Sequence, residues 1–293
     1  MRKINRATIV HFSPTGTVRK VALAFKDGCA PLTSKVSVHD VLTPESRTEL
    51  IDCTQDTLLI FAFPVYYGRM PLPLRGLNFL KGHGTPAIIA TVYGCRACED
   101  AGREAAMELT ERGFVPYCIG EVPARHSLNH EVAPARPDHR DARELRLLIG
   151  ELIRGIEGET WLPYACDTAT PLKPYGHQFL NPEPVDATLC KSCFVCAKFC
   201  PMGIIDKDTK RIQESHENEC EACMACVERC PKHLRAIPAK VADPFKEHMR
   251  LFKEQLCSRP QGELPDELPI LVRLTDKTGA RLFKAGGSHE ATL

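Results

Sequence analysis

Two runs of cysteine with the same spacing constrain this chain more than any other feature of its sequence. Each follows the pattern C-x2-C-x2-C-x3-C-P; the first holds Cys190, Cys193, Cys196 and Cys200, and the second holds Cys220, Cys223, Cys226 and Cys230. Three thiolates at successive three-residue steps can surround one corner of a cubane, and the fourth ligand must come from elsewhere. The pattern therefore predicts two [4Fe–4S] clusters bound by these eight cysteines.

Zinc sites and disulfides are the alternatives for so many cysteines. Zinc prefers cysteine pairs separated by a longer loop and does not need three such steps followed by Cys-Pro. The N-terminus lacks the long apolar core of a secretory signal, so we expect a cytoplasmic protein, in which disulfides are disfavoured. Most cysteines outside the two runs are predicted to be small apolar core residues.

The two runs resemble the ligand pattern of bacterial ferredoxins that carry two clusters. In those proteins the fourth cysteine of each run binds the cluster of the other run. The resemblance implies two crossed ligand sets: Cys190, Cys193, Cys196 and Cys230 for the first cluster, and Cys220, Cys223, Cys226 and Cys200 for the second. Residues 201–219 suit the short hairpin that joins the two halves of such a domain.

At 293 residues the chain is longer than one typical domain. Changes in composition predict a first domain over 1–160, a proline-rich linker or wrapping segment over 161–184, a small α+β cluster domain over 185–240, and an extension of unknown role over 241–293. Within the extension we expect a helix near its start and a hairpin that turns at Asp276–Gly279.

Short apolar runs alternate with helical patterns in the first domain. The runs predict strands over 4–12, 36–41, 57–65, 86–93 and 115–122, and helical periodicity predicts helices over 18–28, 98–112 and 138–156. Such alternation is typical of an α/β domain with a doubly wound, parallel, five-stranded sheet and helices on both faces.

The loop after the first predicted strand has the composition of a phosphate site. Ser13, Thr15 and Thr17 supply hydroxyl groups, Gly16 lets the backbone approach closely, and a helix N-terminus follows. The loop lacks the glycine and lysine patterns of dinucleotide and P-loop sites. Taken alone, the loop is more simply explained as an ordinary helix cap.

Two further loops follow the third and fourth predicted strands. The first contains Pro64, Val65, Tyr66, Tyr67 and Gly68, and the second contains Tyr93, Gly94, Cys95 and Arg96. With the Ser13–Thr17 loop they resemble the FMN-binding loops of flavodoxins, where the cofactor lies outside the carboxyl ends of the strands. The resemblance implies a flavodoxin-like fold in which the three tyrosines are available to stack on the flavin; packing at the end of the sheet is the alternative.

The first and third of these loops depart from that resemblance. Val18 stands where flavodoxins usually place a threonine or serine, which removes one phosphate donor. Cys95 and Cys98 form a C-x-x-C pair beside the expected flavin, which raises two alternatives, a redox-active dithiol and two unreactive small side chains.

Over residues 4–240 the chain resembles the EFR-type ferrodoxins, which are flavodoxin-plus-ferredoxin fusion proteins of anaerobes. This resemblance implies a protein that passes electrons between FMN and two [4Fe–4S] clusters, with a redox protein as donor or acceptor. A structural or regulatory module would leave all eight cysteines of the runs without a role.

The alternative function is a ferredoxin-linked, flavin-dependent reductase of a small-molecule oxidant. In that case His126, His130 and His139 could reach a substrate above the flavin, although a solvated loop is the simpler expectation for them. Residues 185–235 carry eight acidic and eight basic side chains, and this neutrality favours a fixed partner or a reductase over a freely diffusing acidic carrier. With 38 basic and 37 acidic side chains overall, and no apolar run of membrane length, we expect neither nucleic-acid binding nor a membrane span.

Overall fold

The computed structural model describes residues 3–176, 180–186, 188–190, 193–257 and 267–285. The strands are β1 (Arg6–His11), β2 (Lys35–Asp40), β3 (Ile51–Cys53), β4 (Thr57–Pro64), β5 (Leu80–Gly82), β6 (Thr85–Tyr93), β7 (Phe114–Pro123), β8 (Glu183–Pro184), β9 (Arg235–Ala236), β10 (Leu271–Asp276) and β11 (Gly279–Lys284). The α-helices are α1 (Thr17–Cys29), α2 (Ala101–Glu111), α3 (His139–Glu157), α4 (Val195–Lys198), α5 (Ala225–Glu228) and α6 (Ala239–Cys257). Within these ranges no helix has the length and apolar character needed to cross a membrane.

Seven strands form the main sheet in the order β11-β10-β7-β6-β4-β1-β2. The strands from β7 to β2 in that order are parallel. Counted along the chain, these five have the order 2-1-3-4-5 of a flavodoxin-like doubly wound sheet. The predicted five-stranded parallel sheet is therefore confirmed, and two antiparallel strands extend it.

The central strands are buried on both faces because helices cover both sides of the sheet. Along β4, Leu58 and Ile60 pack in the core that includes α1 and α3, whereas Leu59 and Phe61 pack in the core that includes α2. Successive side chains of a strand point to opposite faces, so a strand covered on both sides needs an apolar residue at each position. This explains why the sequence shows continuous apolar runs rather than alternating ones.

The C-terminal hairpin of β10 and β11 completes the sheet at its β7 edge. β10 pairs antiparallel with β7 and with β11. Ile270, Val272 and Leu274 are buried in the same core as α1 and α3. The predicted hairpin is present, and it pairs with an edge of β7 that would otherwise expose its backbone groups.

Residues 161–176 are packed along the flavodoxin-like part of the chain. The Trp161 ring meets the Phe283 ring of β11 with centroids 5.7 Å apart. Further along, the amide of Lys173 donates to the Asp100 carboxylate at 2.7 Å. At Trp161 and Lys173 the segment therefore contacts the flavodoxin-like part, as expected of a wrapping segment rather than of a free linker.

The cysteine-rich part has two similar halves, as its internal repeat predicts. In each half a loop leads into a one-turn helix, α4 in the first and α5 in the second. Each run ends in the same turn, because the amides of Gly203 and His233 donate to the carbonyls of Cys200 and Cys230, both at 3.1 Å. The antiparallel pair β8 and β9 joins the start of this part to its end.

Candidate functional site

The loops after β1, β4, β6 and β7 meet at one edge of the sheet, outside the carboxyl ends of these strands. The strand order reverses between β1 and β4, which makes this edge a topological switch point of the kind at which open α/β sheets bind ligands. Two adjoining cavities open there. We call them the loop cavity, of about 50 Å³, and the interface cavity, of about 220 Å³. They share the lining residues Val65, Tyr66, Tyr93, Gly94, His126 and Ser127.

The loop cavity lies against the N-terminus of α1. Thr15 and Thr17 line it, and their hydroxyl oxygens are 3.2 Å apart. Gly16 has a φ of +85°, and a Cβ placed on it would meet no protein atom within 4 Å. The backbone here therefore borders open space at a helix N-terminus, which fits an anionic phosphate group. Ser13 does not line the cavity; it is buried, and its hydroxyl accepts from the Arg19 amide at 2.9 Å.

The loop after β4 makes a tight turn that fixes its aromatic side chains. Tyr66 and Arg69 exchange backbone hydrogen bonds of 3.1 and 2.9 Å, and the two residues between them have positive φ, 55° for Tyr67 and 75° for Gly68. Positive φ at both central positions belongs to a type I′ turn, which explains the glycine. A Cβ on Gly68 would also overlap the Glu99 carboxylate. Pro64 lines the loop cavity, Tyr66 lines both cavities, and Tyr67 and Gly68 line the interface cavity.

The loop after β6 is divided between the cavity and the core. Tyr93 and Gly94 line both cavities, and Arg96 lines the interface cavity while it pairs with Glu99 at 2.6 Å. Cys95 lines neither cavity; it is fully buried and its thiol donates to the Ala124 carbonyl at 3.6 Å.

The second thiol of the C-x-x-C pair is also buried. Cys98 accepts a hydrogen bond from the Thr91 hydroxyl at 3.2 Å, and burial raises the pKa of the Cys98 thiol well above its usual range. A thiol that stays protonated at neutral pH is a weak nucleophile. This environment is that of a core residue rather than of a redox-active dithiol.

His126 lines both cavities, whereas the other two histidines of its segment do not. Its Nδ1 accepts hydrogen bonds from the amides of Leu128 and Asn129, at 3.1 and 3.2 Å. A neutral ring whose Nδ1 accepts must carry its proton on Nε2. Burial, with smaller contributions from the charges of two neighbouring side chains, lowers the pKa of His126 to about 4, so the ring is neutral at physiological pH. His130 instead meets Glu228 at 3.0 Å, and His139 is exposed at the start of α3.

The far wall of the interface cavity is formed by residues that the sequence analysis did not assign to the flavin site. Glu221 and Ala222 contribute from the second cysteine run, and His248, Met249 and Phe252 contribute from α6. The amphipathic pattern of α6 predicts a helix, but no local signal states which surface it covers. The same holds for Glu221, which sequence reasoning passed over because it stands between two predicted cluster ligands.

Each crossed set of cysteines surrounds one small cavity. One cavity is lined by Cys190, Cys193, Cys196 and Cys230, and the other is lined by Cys200, Cys220, Cys223 and Cys226. We call these the first and second cluster cavities. Within the described ranges no three side chains from His, Cys, Asp or Glu converge as they would on a single metal ion. In a cubane each cysteine binds a different iron, so four thiols around a space are the arrangement that such a cluster needs.

The second cluster cavity adjoins the interface cavity, because Glu221 and Ala222 line both. Glu221 is buried, and one of its carboxylate oxygens accepts from the Leu72 amide at 3.0 Å and from the Tyr175 hydroxyl. Burial raises the pKa of Glu221 to about 7. Only this short stretch of chain separates the predicted flavin space from the predicted second cluster.

Several hydrogen bonds hold the cysteine-rich part against the phosphate loop and its neighbours. The Arg229 guanidinium donates to the carbonyls of Ser13 and Pro14 at 2.9 and 3.1 Å, and it lies over the Phe199 ring at 4.6 Å. Arg47, which follows β2, donates to the Pro201 carbonyl at 2.6 Å. Because these bonds reach backbone atoms of both predicted domains, they restrict rotation of one against the other.

Comparisons with known proteins found a matching family model and similar solved structures. A family model described as a 4Fe-4S dicluster domain matches residues 184–231. Among solved structures, the chain is similar to a flavodoxin from the domain Archaea, at 15% identity and a TM-score of 0.37, over 52% of this chain and 99% of the other. It is also similar to a Bacteroides uniformis protein described as a flavoprotein, at 13% identity and a TM-score of 0.32, over 50% of this chain and 99% of the other. No curated protein matches the chain.

The strand order and the dicluster match together define the class of protein. The chain joins a flavodoxin-like α/β domain to a ferredoxin domain of the 4Fe-4S dicluster type. Iron–sulfur domains of this type carry electrons. The protein is therefore an electron-transfer protein with iron–sulfur clusters.

Proposed function

We propose that the chain passes electrons between FMN at the switch point and two [4Fe–4S] clusters in the cysteine-rich part. The observation that carries this proposal is the wall shared by the interface cavity and the second cluster cavity, which consists of Glu221 and Ala222. It brings the cavity at the switch point next to four cysteines in a single chain. Such a protein would connect two-electron and one-electron carriers, because FMN exchanges one or two electrons and a cluster exchanges one.

The proposed ligands are the crossed sets that surround the two cluster cavities. The second set binds the cluster next to the flavin, and the first set binds the more distant one. Arg235 stabilises the assembly from within, since its buried guanidinium lines the first cluster cavity and donates to the carbonyls of Lys210 and Pro182. Thiolate ligands suit a reducing compartment, which fits our expectation of a cytoplasmic protein.

The proposed FMN site uses the chain's residues in three ways. Thr15, Thr17 and the first amides of α1 bind the phosphate at the loop cavity. Tyr66, Tyr67 and Tyr93 border the ring, and the amides of their loops are available to its polar edge. His126 offers a neutral Nε2–H donor from the β7 side, and Met249 and Phe252 of α6 exclude water from the opposite side.

A second candidate function is the flavin-dependent reduction of a small molecule with electrons from the clusters. It is favoured by the position of His126, which lines the interface cavity together with Met249 and Phe252 of α6 and could meet a small molecule there. A screen of small oxidants with a reduced ferredoxin as the electron source tests it. Turnover that needs both the clusters and the flavin would favour the reductase.

Removing the fourth cysteine of each run tests the cluster assignment. The reconstituted protein should hold close to eight iron and eight sulfide per chain. Cys200→Ala should lose the cluster built on the second run, and Cys230→Ala should lose the cluster built on the first run, so each variant keeps about four iron. EPR spectra of the two variants identify the remaining cluster. If Cys200→Ala instead lost the cluster built on the first run, or Cys230→Ala the cluster built on the second run, the crossed assignment would be wrong. Stoichiometric zinc without sulfide would show that the protein does not bind these clusters.

A further inference from the structure

Apolar side chains are exposed around the first cluster cavity. Of the seven large apolar side chains that are exposed in the described ranges, three lie here: Val185, Leu189 and Phe194, which are 67%, 56% and 50% exposed. Leu189 and Phe194 directly adjoin the ligands Cys190 and Cys193 in the sequence. The Val185 amide donates to the Leu234 carbonyl at 2.9 Å, and Leu234 lines the cavity. We call Val185, Leu189, Phe194 and Lys232 the first-cluster face.

The first cluster set is also the one closer to solvent. Cys190, Cys193 and Cys230 are partly exposed, whereas Cys200, Cys223 and Cys226 of the second set are buried. The second cluster cavity is enclosed on one side by the flavodoxin-like part through Glu221, and α6 covers the interface cavity. An external protein could therefore approach the first cluster more closely than the second cluster or the flavin.

Charge is segregated between the two cysteine runs, although residues 185–235 are neutral as a whole. In the segments that carry the first-cluster ligands, Lys198 and Lys232 are exposed and basic, whereas the acidic residues Asp186 and Glu228 are half-buried. Directly before the second run, Glu214, Glu217 and Glu219 are exposed and acidic, and residues 214–226 contain no lysine or arginine. Glu228 is paired with Arg125 at 3.1 Å, whereas Lys232 is exposed at the rim of the first cluster cavity. The overall neutrality thus conceals a basic end and an acidic end.

We infer that the first-cluster face docks an acidic one-electron carrier protein. Apolar side chains at the centre with a basic residue at the rim match an acidic partner whose own redox centre lies near its surface. Each encounter transfers one electron: the carrier is oxidised by one electron and the first cluster is reduced by one. Two encounters supply the two electrons that fully reduce the flavin, which takes its protons from water. This inference rests on the proposed function and adds the place and the chemistry of the partner.

The test follows reduction of the fully loaded chain by a reduced acidic bacterial ferredoxin in a stopped-flow instrument. Lys232→Glu should lower the second-order rate constant by about tenfold at low ionic strength, because charge at a docking face acts on the encounter rate. Lys35→Glu makes the same charge change on an exposed lysine at the amino end of β2. The cysteine-rich part packs near the carboxyl ends of the strands, so this variant should change the rate less than twofold. Raising the salt to about 0.5 M should bring the variants together as the Debye length shortens.

A second pair of variants keeps the test decisive if Lys232→Glu assembles poorly. Val185→Glu places a negative charge on the first-cluster face at a position that does not adjoin a ligand. Leu147→Glu is the control: it places the same charge on the exposed side of α3, where Leu147 is 54% exposed. Only Val185→Glu should slow the ferredoxin, while reduction by a photochemically generated neutral small reductant stays the same for both. Equal rates in each pair, or a wild-type rate that rises with salt, would overturn the docking inference. The later, first-order flavin phase reports on the proposed function separately, since it follows docking.

Discussion

Gly16 has the backbone geometry that most directly links the first loop to phosphate binding. Its φ of +85° lies in the left-handed region, and its missing side chain leaves open space at the N-terminus of α1. A valine here would be strained and would fill the space in which the phosphate is expected.

We therefore expect Gly16→Val to weaken FMN binding by at least tenfold while the iron content persists. Gly84→Val is the matched control, because Gly84 has a φ of +72° and lies at the amino end of β6, away from the site. Both variants share the backbone strain, so only the loss specific to Gly16→Val reports on the phosphate. Fluorescence titration of the flavin-free proteins measures this difference. Equal affinities would show that the phosphate binds elsewhere.

His126 makes a prediction about pH. Its pKa in the folded chain is about 4, below the value near 6.5 of an unfolded chain. As the pH falls, His126 is protonated in the unfolded chain before it is protonated in the folded chain, which favours unfolding. The stability that depends on the neutral ring is therefore present above pH 6.5 and is lost as the pH falls toward 4. Between pH 7 and pH 5 this loss amounts to about 2 kcal/mol.

His126→Asn should remove that part of the pH dependence, since an amide can accept the same backbone hydrogen bonds without titrating. Urea unfolding followed through Trp161 fluorescence measures the free energy of unfolding at both pH values. Ring nitrogen NMR should show the Nε2–H tautomer at pH 7. A wild-type ring that titrates near pH 6.5, or a variant with the same pH dependence, would contradict the assignment.

At the scale of elements, the C-terminal hairpin belongs to the flavodoxin-like sheet although it follows the cysteine-rich part in the sequence. Leu274 of β10 is 4% exposed within the core of α1 and α3. Leu274→Ala should lower the free energy of unfolding by about 2–4 kcal/mol, because a buried leucine leaves both lost contacts and a cavity. Leu147→Ala, on the exposed side of α3, should change it by less than about 0.5 kcal/mol. Equal losses would show that the hairpin is not part of this core.

The sequence predicted the secondary-structure elements better than it predicted which elements pair with each other. The runs that became β1, β4 and β6 were predictable because strands covered on both sides need continuous apolar residues. The turn of the hairpin was predictable from Asp276 to Gly279. Its pairing with β7 was not, since that contact joins residues about 150 positions apart and leaves no local pattern.

The same limit applies to the candidate site. Of the thirteen residues predicted to contact FMN, ten line the two cavities, and Gly16 stands at the turn beside them. Ser13 and Cys95 were included because they belong to the right loops, but a loop position does not reveal which side chains turn into the core. Phe252 and Glu221 were missed because they reach the cavity through tertiary packing alone.

At the scale of the whole molecule, the two cofactor regions are held together rather than merely tethered. Arg69 and Glu104 form a buried pair, with bonds of 2.8 and 2.6 Å, and Arg69 also donates to the Lys173 carbonyl in the wrapping segment. Tyr175 then reaches Glu221 in the second cysteine run. Leu180 of this segment is buried, and its neighbour Phe179 lies outside the described residues. The domain boundaries at 160, 184 and 240 stay predictions.

Because the hairpin completes the first domain's sheet, the role of the clusters is best tested in the full chain. Cys193→Ala removes a ligand of the distant, first cluster and leaves the FMN site and the second cluster's ligands unchanged. Its FMN content should match that of the wild type, while its iron content falls by about half. Cys166→Ala, which changes a cysteine outside both runs, is the matched control.

The most direct test of the central claim is the rate of flavin reduction in these three proteins by a one-electron donor. With saturating donor the wild type and Cys166→Ala should show a first-order flavin phase that is independent of protein concentration, because the electrons arrive within the molecule. Cys193→Ala should slow that phase by at least tenfold. Flavin reduction that is equally fast in Cys193→Ala, or that depends on protein concentration in the wild type, would show that the clusters are not the path to the flavin.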